Sequence, residues 1–74
     1  MATPTTPRAE FAAAIRQVNA AYNHLPESSR PDVAWNGLDR EVDAALAAGD
    51  ADRALAAIRA WKQHHLALIE EAAL

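Results

Sequence analysis

Three histidines are the side chains in this sequence best suited to metal or acid–base chemistry, and two of them, His64 and His65, are adjacent. A helical metal site needs ligands three or four positions apart, so that both point the same way. Neighbours on a helix diverge by about 100°, so this pair does not chelate from one helix. Four positions on from His64 stands Leu68, and four on from His65 stands Ile69; neither is a ligand. A site would need His24, or a carboxylate from another helix or subunit. The pattern predicts a solvated His64, a partly buried His65 with one hydrogen bond, and no metal. His65 falls between Trp61 and Ile69 on an apolar face. Burial penalises a charged imidazole, and a buried ring needs a polar partner. Tyr22 or a residue of a partner chain is the expected one, which would make an interface there sensitive to pH.

Trp35 and Trp61 are the next constellation. They lie 14 positions before and 12 after Gly49, so a helical hairpin turning at that glycine sets them at similar heights. Beside His65, two indoles would line a small apolar pocket. As core fillers they would instead supply bulk to a chain rich in alanine. The carboxylates Asp39, Glu41 and Asp43 alternate with Arg40 around one helix and read as a solvated face. Glu70 and Glu71 sit near a helix C-terminus, where negative charge is mildly unfavourable, and could mark an acidic docking patch. No carboxylate pair lies on an obviously enclosed element, as acid–base catalysis requires. There is no glycine-rich phosphate loop, no serine near a recognisable base, and no cysteine. No catalytic residue and no cofactor are expected, and the sequence reads as a non-enzyme.

The elements that must position these residues are helical. Residues 1–6 read as a disordered tail, and 7–74 as one helical domain. A first helix over 7–25 starts with Thr6 as N-cap and Pro7 in the first helical position. Its stripe of Phe11, Ile15, Val18, Tyr22 and Leu25 repeats at spacings of four and three. Pro26 ends it. A second helix is predicted over 31–48, with Ser29 and Asp32 as a capping-box variant and Trp35, Leu38, Val42, Ala45 and Leu46 on its apolar face. Gly37 would either allow close packing or break the first turn away. Gly49 suits the left-handed residue past a helix end, and Asp50 suits the N-cap of a third helix over 51–73. That helix gathers Ala54, Ile58, Trp61, His65, Leu68, Ile69 and Ala72 on one face about 160° wide, more than one neighbour needs. The expected fold is an all-α, antiparallel three-helix bundle, up-down-up, with the option of dimerising. The alternative is a two-helix hairpin whose first helix is donated to another chain.

The stretch from Val42 to Leu55, with Ala44-Ala45-Leu46-Ala47-Ala48, then Gly49-Asp50, then Ala54-Leu55, resembles the inter-helix turn of a tetratricopeptide unit. The resemblance covers about a fifth of the chain and implies the hairpin geometry only. There is no second copy, and a stacked solenoid needs about three repeats.

Of the apolar residues, which make up 51% of the 74, 20 are alanine and only 18 are large. Such a thin core favours self-association or a partner. The net charge is −3, and the seven basic residues are scattered, mostly among acidic ones. Binding to a phosphate backbone calls for a basic patch, so nucleic acid is an unfavoured partner. No run is long enough to span a bilayer, and the first residues carry no apolar signal core, so a cytoplasmic setting is expected. Six of the seven basic residues are arginine. With the alanine bias, that suggests a GC-rich bacterial coding sequence. The functional expectation is a small regulatory module that binds another protein through an apolar helix face and could also pair with itself. Trp61 and Leu68 are its expected anchors. The alternatives are a small-molecule-binding bundle using Trp35, Trp61 and His65, and a dimeric nucleic-acid-associated regulator, which the acidic charge disfavours.

Overall fold

The computed structural model describes residues 6–32 and 37–74. These form helix α1 over Pro7–His24, a short 3₁₀ turn over Glu27–Ser29, helix α2 over Gly37–Ala48 and helix α3 over Ala51–Ala73. The described residues contain no strand. The protein is an all-α three-helix bundle in which α1 and α2 both pack against α3.

The helix ends follow from local chemistry. Thr6 Oγ1 accepts from the Ala9 backbone N–H at 3.2 Å and caps α1, with Pro7 behind it. Gly49 adopts φ of 71°, the left-handed turn that glycine takes without a Cβ clash. Its N–H donates to Leu46 O, and the N–H of Asp50 donates to Ala45 O, each at 3.2 Å. This pair of bonds closes the end of α2 as a Schellman motif. Asp50 Oδ1 then accepts from the Arg53 N–H at 3.1 Å and opens α3. The hairpin suggested by the Gly-Asp turn is therefore present.

Between α1 and α2 the chain departs from expectation. Pro31 and Asp32 are not helical, so the second helix does not begin at 31. Its described part starts at Gly37. The capping box at Ser29 is not formed. The Ser29 N–H donates instead to Pro26 O at 2.8 Å in the 3₁₀ turn, and Arg30 is extended, as the residue before a proline prefers. Arg30 ties this turn down. It donates to Leu25 O at 3.2 Å and Asn23 O at 3.3 Å, and its guanidinium lies 5.4 Å from the centre of the Tyr22 ring. A cation bonded to carbonyls at the end of α1 also suits that helix's dipole.

The register places α3 at the centre. α1 runs parallel to it, since Thr6–Arg8 lie by Asp50, Ala51 and Ala54 at one end, Phe11 meets Trp61 midway along α3, and Ala20–Leu25 flank Leu66–Ala73 at the other end. α2 runs antiparallel to α3, with Glu41 beside Arg53 and Asp39 beside Trp61. Among the described residues, α1 and α2 each pack far more on α3 than on each other. The result is an open arrangement. The Cα trace measures 39 × 31 × 14 Å and has a radius of gyration of 13.4 Å, against about 11 Å for a compact chain of this length. The α2–α3 seam is built from small residues, with Val42 and Ala45 fully enclosed (0% exposed) and Ala54 nearly so. Ala57, Ile58, Trp61 and Ile69 of α3 join Ala14, Val18 and Leu25 of α1 in the same core. Among the described residues, no helix is long and apolar enough to cross a membrane.

Candidate functional site

Midway along α3, Trp61 and His65 combine aromatic bulk with polar atoms, and Asp39 and Phe11 of the flanking helices meet the indole. Trp61 is 7% exposed. Its Nε1–H donates to Asp39 Oδ1 of α2 at 2.6 Å, a buried bond. Phe11 of α1 packs edge-on against the indole, with ring centres 5.1 Å apart and planes at 81°. One turn further along, His65 stacks on the indole at 4.5 Å and 27°. Trp61 thus touches all three helices and joins them.

Asp39 does not lie on a solvated face. It is 8% exposed. The physical reason is the indole: a Trp N–H inside a core needs an acceptor, and a short carboxylate on the facing helix supplies one. The signal was in the spacing, because Asp39 stands three positions before Val42 and next to Leu38, inside the apolar stripe of α2.

His65 is 4% exposed, and its Nδ1 is buried without a hydrogen-bond partner. The expected bond to Tyr22 is absent, because the parallel register of α1 carries Tyr22 past His65 toward the C-terminal end of α3. Tyr22 is half-buried there against the core, under Arg30. Burial pushes the His65 pKa below the usual histidine value. The Asp39 charge opposes that shift, His64 adds to it, and the Trp61 carbonyl one turn back opposes it weakly without completing a bond to Nδ1. His64 is exposed, its ring 5.4 Å from that of His65. Among the described residues no group of three His, Cys, Asp or Glu side chains is placed to hold a metal ion.

Trp35 lies outside the described residues, and so does any pairing of it with Trp61. Leu68 is half-buried and stands outside the central core cluster.

A second feature is an open groove of about 500 Å³ between the C-terminal halves of α1 and α3. Ala20, Ala21, Leu25, Leu66, Ile69 and Ala73 form its mostly apolar wall, and His24 and Glu70 stand at its edge. α3 has 23 residues, and the groove runs where its C-terminal half lies beside the C-terminal half of α1. At the other end of the hairpin, Arg53 donates to both oxygens of Glu41, at 2.6 and 3.0 Å, on the surface. The Arg53 hydrogen bond holds the Glu41 carboxyl below its usual range.

No family model, curated protein or solved structure matches this chain.

Proposed function

We propose that this chain is a small, non-enzymatic protein–protein interaction module that binds a helix of another protein in the groove between α1 and α3. One observation carries the reading: an open apolar groove floored by small residues and flanked by acid. Alanines let a docking helix come close, as helix-in-groove recognition requires. Glu70 at the edge favours a partner whose apolar stripe is bordered by Lys or Arg. Trp61 is engaged inside the chain by Asp39, Phe11 and His65, and Ile69 is buried in the core, so the anchor on this reading is the half-buried Leu66.

Site-specific photocrosslinking tests this. A photoreactive residue replaces Ala20 or Ala73 in the groove, or the exposed Gln63 as a control. The expected result is one discrete protein adduct from both groove positions and none from position 63. Glu70→Lys should weaken the adduct, as should added salt. An adduct of two copies of this chain would replace the heterologous partner with a homodimer. No adduct, or equal labelling at all three positions, would sink the proposal.

A further inference from the structure

We propose that the groove is one half of a furrow along the whole α1–α3 seam, and that the partner helix lays carboxylates over Arg59 and Lys62 and, two turns along, a Lys or Arg over Glu70. This rests on the groove reading and adds the partner's length and charge order.

The seam holds a second depression. A cleft of about 180 Å³ lies nearer the N-terminal ends of α1 and α3, with Glu10 and Gln17 on one wall and Arg59 and Lys62 on the other. The buried Ala14 and Ile58 form its floor. Helical geometry puts cleft and groove on one face. At about 100° per residue, Leu55, Arg59 and Lys62 of the cleft and Leu66, Glu70 and Ala73 of the groove lie within about 80° of one another on α3. On α1, Glu10, Gln17, Ala21 and His24 lie within about 60°. Lys62 and Leu66 are four positions apart, so the two depressions meet within one turn. Trp61 and Arg53, which meet α2, lie about 140° round α3 from Leu66. No described residue of α2 lines either depression. From Leu55 to Ala73 the furrow is about 27 Å long.

The furrow changes sign along its length. Arg59 and Lys62 outnumber Glu10 at one end, and Glu70 brings a negative charge to the other. Among the described residues none of these four side chains forms an ion pair, and Glu10 stays beyond ion-pair reach of the cations across the cleft. Lys62 and Leu66 are both half-buried. A helix seated on Leu66 therefore also strips water from Lys62, which then needs a carboxylate. Lys62 and Glu70 are eight positions apart, about 12 Å. On a partner helix, the same-facing positions nearest that separation are seven apart. The partner is thus an amphipathic helix of about 18 residues, with an acidic and a basic side chain seven positions apart beside its apolar stripe. A uniformly basic or uniformly acidic helix would set like charges together at one end of the furrow.

Crosslink mapping supplies the deciding measurement. The photoreactive p-benzoylphenylalanine replaces the exposed Ala13 in the cleft or Ala73 in the groove, in the full chain inside the cells that make it, and mass spectrometry locates each attachment site. Both positions should capture the same protein, at sites about 15 residues apart along one helix, the separation of Ile58, beside Ala13, from Ala73. That helix should carry its acidic side chains toward the Ala13 site and its basic ones toward the Ala73 site. Arg59→Gln with Lys62→Gln should lower the Ala73 adduct about fivefold, the scale of two exposed ion pairs. Arg16→Gln with Arg40→Gln removes the same charge from exposed positions outside the furrow and should leave the yield unchanged. An Ala73 adduct without one from Ala13 overturns this proposal and leaves the groove reading standing. So do different partners at the two positions, or equal yields from the two glutamine pairs. No adduct from Ala73, or an adduct between two copies of this chain, overturns both. If the Arg59 and Lys62 variant does not fold, the spacing and charges mapped at the two sites decide the matter.

Discussion

The buried hydrogen bond from Trp61 to Asp39 sets the chemistry of the core at the residue scale. Trp61 is large enough to reach both flanking helices, but its N–H brings a donor into an apolar seam, and Asp39 exists to receive it. Removing the acceptor should cost more than altering it. Asp39→Ala leaves the indole N–H unsatisfied and is expected to destabilise by about 2 kcal/mol, within the range for a bond to a charged group. Asp39→Asn keeps a carbonyl oxygen in place and should cost about half of that. Urea unfolding followed by fluorescence measures both, and the midpoint should move while the slope stays constant. Equal losses in the two variants would show that packing at Asp39, and not its hydrogen bond, holds α2. Trp61→Phe tests the other partner. It should be as harmful as Asp39→Ala, because it removes the buried N–H that the carboxylate accepts from and leaves a gap where the indole filled the core.

The two glycines show, at the scale of the elements, how differently one residue type acts at two helix ends. Gly49 holds a positive φ in the turn between α2 and α3. Gly37 opens the described part of α2 without one, and a Cβ there would meet nothing within 4 Å. Gly49→Ala should therefore cost about 1 kcal/mol through left-handed strain. Gly37→Ala should gain roughly 0.5 kcal/mol by restricting the unfolded chain. Thermal unfolding of the two variants should shift in opposite directions, and a loss in Gly37→Ala would mean that its backbone is needed as glycine. Signals of this local kind explain why α1 and α3 were legible in the sequence. Thr6, Pro7, Gly49 and Asp50 act on backbone groups within a few positions of themselves. The start of α2 was not legible, because Pro26 and Pro31 bracket a 3₁₀ turn that competes with the cap at Ser29. Tertiary placement was also hidden. The burial of Asp39 depends on an indole 22 positions away, and the separation of Tyr22 from His65 depends on how α1 slides along α3. The groove was not foreshadowed: of the wide α3 face read from the sequence, only Ile69 lines it.

The molecule as a whole is organised around α3, and among the described residues α1 and α2 each pack far more on it than on each other. Such a plan allows the flanking helices to open separately. Native-state hydrogen exchange should find the slowest amides in α3 between Ala57 and Ile69, with α1 and α2 exchanging through smaller, independent openings. Identical protection in all three helices would instead indicate one cooperative unit. The same plan imposes an order of assembly. Glu41 and Arg53 are 12 positions apart, but Phe11 and Trp61 are 50 apart (61 − 11). Loop-closure entropy grows slowly with length, by about 0.6 kcal/mol per doubling, so the hairpin of α2 and α3 closes before α1 docks. Weakening α1 should then mainly speed unfolding, while weakening the hairpin slows folding. On a ribosome the delay is longer still. α1 emerges first and must wait, with Phe11, Ile15 and Val18 facing water, until α3 has been made. The alanines beside that stripe are small enough to seat α1 closely when α3 arrives, and Arg16, Gln17 and Asn19 keep the rest of the helix hydrated meanwhile.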